Sequence, residues 1–351
     1  MSSFSKEKGS VGGAIKSPSK DEKDVTSADY YFDSYSHFGI HEEMLKDRVR
    51  TQSYMQAIEK NKHIFEGKIV LDVGCGTGIL SMFAARAGAA KVYAVECSAI
   101  AEQAKRIISD NGFSDTVEVI QKKMEDVELP CQYVDIILSE WMGYFLLYES
   151  MLDTVLYARD KFLRPETGVM LPDKAALYLC GIEDGEYKSE KIDFWDNVYG
   201  FDMKVIKDIA LLEPLVDSVK SRAVNTNIVR VLKIDIMTCT KDDLQFKSDF
   251  CLKASRQDYC HALCAFFECA FTQIHSPIVI STSPHAPYTH WKQTVFYFEE
   301  PITICQGEEI FGSIECKPND INVRDLDITI QHEFDGSCMK YDKKQQLFRL
   351  R

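Results

Sequence analysis

Residues 139–150 read S-E-W-M-G-Y-F-L-L-Y-E-S, and Glu140 and Glu149 bracket positions that are otherwise aromatic, apolar or glycine. A carboxylate taken out of water is costly unless a cation or a set of hydrogen-bond donors meets it. The chemistry open to this pair is therefore capture of a cation, either one built into the protein or one that arrives as a ligand. Two exposed loop glutamates would leave Trp141, Tyr144, Phe145 and Tyr148 of the same stretch unexplained.

A second stretch, V-L-D-V-G-C-G-T-G over residues 70–78, places Gly74, Gly76 and Gly78 directly after a buried-strand pattern. Such glycines permit a tight turn and let backbone approach a ligand closely. A dinucleotide fingerprint has the spacing G-x-G-x-x-G, but position 79 is isoleucine and the loop reads G-x-G-x-G, preceded by Asp72. Pyrophosphate is a poor ligand for it. Twenty residues beyond Gly76, Glu96 closes another strand pattern, where a carboxylate can accept both hydroxyls of a ribose.

These residues need elements to position them. K-I-V-L-D-V (68–73), K-V-Y-A-V-E (91–96), V-E-V-I-Q (117–121) and V-D-I-I-L-S (134–139) read as short strands. Helices are predicted over 79–87, 99–111 and about 150–162, and the alternation predicts a parallel, doubly wound sheet. A further helix is predicted from His41 to about Lys60. After P-E-T-G-V-M-L-P (165–172) strand-length segments take over, interrupted by D-F-W-D-N-V-Y-G-F-D-M (193–203) and a helical continuation to Leu212. The expected division is a tail over 1–28, an α/β domain with its N-terminal helices over 29–171, and a β-barrel domain over 172–351. The tail is rich in Ser, Lys, Gly and Asp, a composition that does not bury a core, and is expected to be disordered.

Composition narrows the class. A chain of 351 residues at 45% hydrophobic supports about two domains. Its net charge of −13 is the wrong sign for a nucleic acid held by its phosphates, and suits encounter with basic partners. No apolar run approaches the roughly 18 residues that span a bilayer. The N-terminal residues lack an apolar signal core, so nucleus and cytoplasm are the expected locations. The twelve cysteines include no C-x-x-C pair, and Cys260, His261, Cys264 and Cys269 fall in an apolar segment. Reduced, buried thiols are expected there, and no metal.

The strand, Asp72, the glycines and the spaced Glu96 resemble the class I (Rossmann-like) S-adenosylmethionine-dependent methyltransferases. Relatives of that class acting on nucleic-acid amino groups carry an N/D-P-P-Y/F/W loop after the fourth strand. This chain has S-E-W-M-G-Y instead. That loop is similar to the double-glutamate loop of the protein arginine N-methyltransferases, type I in particular. T-H-W at Thr289, His290 and Trp291, and Y-F-D-S-Y-S-H-F-G-I-H-E-E-M-L-K-D over 31–47, add to the resemblance, which runs from about residue 28 to the end. It implies methyl transfer from S-adenosyl-L-methionine to protein arginine, leaving S-adenosyl-L-homocysteine and giving monomethyl, then asymmetric dimethylarginine. The implied substrates are glycine/arginine-rich RNA-binding proteins and histone tails. It also implies a dimerisation arm at about 188–214 and a homodimer, with larger assemblies open.

The residues agree with that chemistry. A guanidinium stays protonated and offers a planar fork of donors that carboxylates meet two at a time. Glu140 and Glu149 can hold it and aim a nitrogen at the methyl, so positioning and desolvation supply most of the acceleration. By resemblance, Arg50 meets the methionine carboxylate, a bidentate partner for it, and His41 also lines the cofactor. Asp72 faces the methionine amino group, Glu96 the ribose and Glu125 the adenine, with Gly74 and Gly76 in the loop between. Tyr31 and Tyr35 are implied as a lid, Met44 and Met151 as the pair that leaves room for a second methyl, and Tyr144 and Trp291 as substrate contacts. His290 pairs with Asp47, either as a base or as a brace between the domains. A symmetric-dimethylating enzyme, a non-catalytic scaffold and a nicotinamide-dependent oxidoreductase are the alternatives.

Overall fold

The computed structural model describes Tyr35 and residues 37–351, so Tyr31 and the expected tail lie outside the described residues. Helices α1 (Phe38–Lys46) and α2 (Arg48–Glu59) replace the single helix predicted from His41 to Lys60. Asp47 makes the break. Its backbone leaves the helical region (φ −66°, ψ 98°), and its Oδ1 accepts the Arg50 backbone N–H at 3.0 Å, which caps α2. A single turn, α3 (Lys62–Phe65), then leads into the first sheet.

That sheet is built by alternation. β1 (Ile69–Val73), α4 (Ile79–Arg86), β2 (Lys91–Glu96), α5 (Ala101–Asp110), β3 (Val117–Gln121), β4 (Ile136–Ser139), α6 (Met151–Phe162) and β5 (Val169–Leu171) follow one another along the chain. The strands are parallel in the order β3-β2-β1-β4-β5. Val70, Leu71, Ile137 and Leu138 have no exposed surface, as expected for strands covered on both faces. Strand order reverses between β1 and β4, and in such sheets the crevice outside the carboxyl ends at that point binds ligands. Val73 is in register with both Val95 and Ser139. The loops that follow β1, β2 and β4, carrying Gly74, the strand-end Glu96 and Glu140, therefore emerge level with one another.

The second half is antiparallel. After β6 (Lys174–Ile182), an excursion over 183–214 forms α7 (Gly185–Lys191) and α8 (Lys204–Leu212), in the region where the resemblance implied an arm at about 188–214. Then come β7 (Leu215–Asp217), β8 (Val229–Asp235), β9 (Phe246–Lys253), β10 (Asp258–Phe271), β11 (Ile278–Ser281), β12 (Gln293–Ile304), β13 (Glu309–Pro318), β14 (Leu326–Asp335) and β15 (Lys340–Leu350). One sheet runs β7-β12-β10-β6-β8 with β11 added on β10, and the other β15-β14-β13-β9. They pack face to face in a barrel-like arrangement, with Phe296 and Phe348 edge to face at 5.1 Å between ring centres. Cys260, Cys264 and Cys269 of β10 are fully buried in this packing.

Candidate active site

A cavity of about 450 Å³ opens at the carboxyl edge of the parallel sheet, and its lining includes Gly74, Cys75, Gly76, Glu96 and Glu125 together with Glu140 and Glu149. The loop after β1 bends through positive φ at Gly74 (76°), Gly76 (52°) and Gly78 (83°), which residues with a Cβ adopt only with strain. At Gly76 a Cβ would also sit 3.3 Å from the His41 ring, itself on the cavity wall. Glu96 fastens the loop: Oε2 accepts the Gly76 N–H at 2.9 Å and Oε1 the Ser98 N–H at 2.8 Å. Glu125 is tied to α6, its Oε1 accepting from the Thr154 hydroxyl at 3.1 Å and its carbonyl from the Tyr157 hydroxyl at 3.1 Å.

Asp72 lies beneath this loop, fully buried, rather than on the cavity wall. Its Oδ2 accepts the Ser81 hydroxyl at 2.6 Å, while Oδ1 has no hydrogen-bond partner among the described residues. Burial pushes its carboxyl up to about 7, and the Glu96 charge adds to that, while Ser81 and Arg50 oppose it. A buried carboxylate oxygen with no donor is what an ammonium would complete. Glu96 on the cavity wall, and the Asp72 Oδ1 beneath the glycine loop, are acceptors of the kind that the ribose hydroxyls and the ammonium of an S-adenosylmethionine-like group would meet.

The acceptor wall is made differently. Arg50 Nε donates to Glu140 Oε2 at 2.8 Å, and each of these side chains is only 7% exposed. Glu140 thus already carries a built-in cation through Arg50 Nε, and Arg50, which the resemblance placed at the cofactor, also lines the cavity. The Arg50 Nη1 also donates to the Met44 carbonyl at 3.2 Å. Glu149 accepts the Tyr35 hydroxyl at 2.9 Å, and His41 Nε2 lies 2.8 Å from the Tyr35 carbonyl. Between the glutamates, Gly143 is required, because a Cβ there would come 2.0 Å from the Tyr148 carbonyl oxygen.

The second half of the chain holds this loop from outside. Trp291 Nε1 donates to the Met142 carbonyl at 2.8 Å. Arg324 Nη1 donates to the Glu149 carbonyl at 2.6 Å, and the Glu149 N–H returns to the Arg324 carbonyl at 3.1 Å. The Ser150 hydroxyl reaches the Val323 carbonyl at 2.8 Å, and from α2 the Tyr54 hydroxyl reaches the Ser139 carbonyl at 2.8 Å. Arg324 also lines the cavity, and sequence reasoning missed it: N-V-R-D carries no motif, and its role exists only once the barrel is folded.

His290 and Asp47 meet as a pair. The Asp47 Oδ2 lies 2.8 Å from His290 Nδ1 and accepts the His290 backbone N–H at 2.9 Å. Burial acts to raise the Asp47 carboxyl, but the hydrogen bonds from His290 and from the Arg50 backbone outweigh it and hold it below its ordinary value. His290, Met44 and Met151 line the cavity. Tyr144 and Trp291 do not: Trp291 is buried with its indole turned to the acceptor-loop backbone, and Tyr144 stacks on Tyr148. Trp291, expected as a substrate contact, is instead a support of the acceptor loop.

Two family descriptions match this chain, a methyltransferase domain over residues 70–166 and an arginine methyltransferase oligomerization subdomain over residues 173–337. It is 57% identical to protein arginine N-methyltransferase 1 of Chlamydomonas reinhardtii, over 97% of this chain and 98% of that one. It is 58% identical to protein arginine N-methyltransferase 1 of Dictyostelium discoideum, over 90% and 92%. Among solved structures, the Trypanosoma brucei PRMT1 enzyme-prozyme heterotetrameric complex with AdoHcy superimposes with a TM-score of 0.88 at 49% identity, covering 91% of this chain and all of that one. At these identities, over most of both chains, the chain belongs to the protein arginine N-methyltransferases.

Proposed function

We propose that this protein methylates arginine side chains of other proteins, first once and then a second time on the same nitrogen, as a type I enzyme. The observation that carries the reading is that Glu140 and Glu149 line the same cavity as the glycine loop. S-adenosylmethionine supplies, when bound, a methyl group activated by its sulfonium. Glu149 and Glu140 hold the substrate guanidinium by charge-assisted hydrogen bonds and fix which nitrogen faces that methyl. Arg50 fixes the orientation of Glu140 through Nε, so this carboxylate does not reorganise when the substrate arrives.

The methylated nitrogen must lose a proton. With Nδ1 of His290 engaged by Asp47, Nε2 is the ring nitrogen that accepts one, and the Asp47 carboxylate stabilises the resulting imidazolium. The second bond, from the His290 backbone to the same carboxylate, supports the brace role equally, since it ties the barrel to α2. Met44 and Met151, flexible thioethers on the cavity wall, leave room for the second methyl.

Glycine/arginine-rich segments and histone tails suit the site, because flexible basic chains are drawn to an acidic protein and can thread one arginine into a narrow cavity. The assembly proposed is a homodimer through α8 and the turn before it, where Tyr199, Phe201, Val205 and Ile209 are exposed apolar residues. Incubation with a glycine/arginine-rich peptide and labelled cofactor, followed by mass spectrometry of the product, should give monomethyl and asymmetric dimethylarginine. Symmetric product, or no transfer, overturns the reading. Sedimentation of the intact chain should show at least a dimer; a monomer at micromolar concentration removes the arm's assigned role.

A further inference from the structure

Far from the cavity, two cysteines that the methyl-transfer chemistry does not use come together at the tips of two turns. Cys305 follows β12 in the turn to β13, the connection between the two antiparallel sheets. Cys338 lies in the β14–β15 turn of the second sheet. Their sulfurs are 3.8 Å apart, with Cys305 half-buried and Cys338 exposed. The other cysteines of the barrel sit mostly in the core, among them Cys180, Cys260, Cys264 and Cys269.

A bracket holds the pair in place. Glu308 Oε2 accepts the Cys305 backbone N–H at 2.8 Å, while its Oε1 accepts the Ser337 backbone N–H at 2.7 Å and the Ser337 hydroxyl at 2.7 Å. One carboxylate thus binds the backbone of one cysteine and of the residue next to the other. Those hydrogen bonds, the Ser337 backbone first, hold the Glu308 carboxyl below its ordinary value, so the bracket persists at neutral pH. The Ser337 oxygen lies 3.5 Å from the Cys305 sulfur and 4.0 Å from that of Cys338. A disulfide needs its sulfurs at about 2.05 Å. The remaining gap lies between the tips of two turns, outside the strands themselves.

We infer that Cys305 and Cys338 form an oxidisable thiol pair, converted by peroxide into an intramolecular disulfide that ties the inter-sheet turn to the β14–β15 hairpin. Cys338, the exposed member, attacks as thiolate; the peroxide O–O bond breaks, leaving a sulfenic acid on Cys338 and releasing water. The Cys305 thiolate then attacks that sulfur, the S–O bond breaks, and a second water leaves. In sum, two thiols give up two electrons to one peroxide and yield one disulfide and two waters. The bond would close a loop of 33 residues, which restricts the unfolded chain and stabilises the fold. It would leave the cavity alone, because Arg324 sits at the opposite end of β14, roughly 30 Å away at strand rise.

The test is to treat the reduced full-length protein with a stoichiometric amount of hydrogen peroxide, block remaining thiols, digest, and map the peptides. The expected product joins the Cys305 and Cys338 peptides, is reversed by dithiothreitol, and raises the unfolding temperature by roughly 2–5 °C with methyl transfer unchanged. Cys305→Ser should leave Cys338 as the sulfenic acid, trappable by a dimedone-type reagent, with no rise in unfolding temperature. A cross-link between Cys338 residues of two copies, or Cys305 still fully alkylated while Cys338 is oxidised in the parent protein, overturns the proposal. So does a Cys305–Cys338 bond formed no faster than oxidation of half-buried Cys131 and Cys251 in the same sample.

Discussion

The loop after β1 takes positive φ at Gly74, Gly76 and Gly78, whereas the loop after β4 takes it at Phe145, Leu146, Glu149 and Ser150. For glycine the left-handed region is nearly free, but a residue with a Cβ pays about 1 kcal/mol or more to enter it. Four such residues between positions 145 and 150 persist only where the surroundings over-determine them. Those surroundings are the barrel and α2: Trp291 on Met142, Arg324 and Val323 on Glu149 and Ser150, Tyr54 on Ser139. The glycine loop needs no such help. Glu96 and the Val95 carbonyl close it from the neighbouring strand of the same sheet. Cofactor affinity is therefore a property of the first half of the chain, while acceptor geometry is a property of both halves together.

The largest expected effect separates the two loops cleanly. Glu149→Gln keeps the shape of the side chain and its strained backbone but removes the charge that meets the guanidinium. Turnover of an arginine peptide should fall on the order of 10⁴-fold, about 5 kcal/mol of transition-state stabilisation. Cofactor affinity, by equilibrium dialysis or calorimetry, should stay within about twofold. Equal losses in both would mean that the loops are one unit and the comparison fails.

The next effect belongs to the glycine-loop side. The Asp72 carboxyl has a folded-state value of about 7 against 3.8 for the ordinary side chain. Between those values the folded protein binds the proton and the unfolded chain does not, so stability falls as pH rises from about 4 to about 7 and is flat on either side. The loss across that window is at most about 4 kcal/mol. Denaturant unfolding of Asp72→Asn without cofactor, measured between pH 5 and 8, should lack this part of the slope. Saturating cofactor should flatten the wild-type slope too, if its ammonium meets the orphaned Oδ1. Identical slopes in wild type and variant would remove Asp72 from that role.

A smaller effect probes the acceptor turn itself. Gly143→Ala puts a Cβ against the Tyr148 carbonyl, a backbone atom that cannot rotate away, so the segment carrying Glu149 must shift. Activity should drop roughly 10²-fold, because a displacement near 1 Å is enough to cost that much, again with cofactor affinity intact. Unchanged kinetics would show that the loop relaxes without moving its carboxylates.

The same division decides what was legible in the sequence. Asp72, the glycines and Glu96 could be read because each lies at or beside a strand end of one contiguous βαβ pattern, where local spacing fixes position. Glu140 and Glu149 could be read because carboxylates in an apolar run conflict with their neighbours. The helix break at Asp47 was hidden, since an apolar periodicity ran through it and the capping interaction depends on its own backbone turning out. The Arg50–Glu140 contact joins residues 90 positions apart, and the Arg324–Glu149 contact residues 175 apart. No periodicity encodes such meetings. They follow from how the barrel docks, and for that reason Trp291 was read as a substrate contact when it is a support.

That support sets the smallest and most discriminating prediction. Trp291 is buried, packs edge to face on Phe267 at 5.5 Å and lies 4.1 Å from the His290 ring centre. Trp291→Phe keeps an aromatic ring in this packing and deletes the Nε1–H that meets the Met142 carbonyl. A buried carbonyl left without its donor costs about 1–2 kcal/mol. That cost falls on the acceptor loop alone, since no hydrogen bond from Trp291 reaches the glycine loop. Peptide methylation should fall about tenfold, by 1.4 kcal/mol per decade, while cofactor affinity and the pH slope from Asp72 stay as in the wild type. Were cofactor affinity to fall by the same factor, the barrel would be holding both loops, and the glycine loop could no longer be treated as closed from within its own sheet.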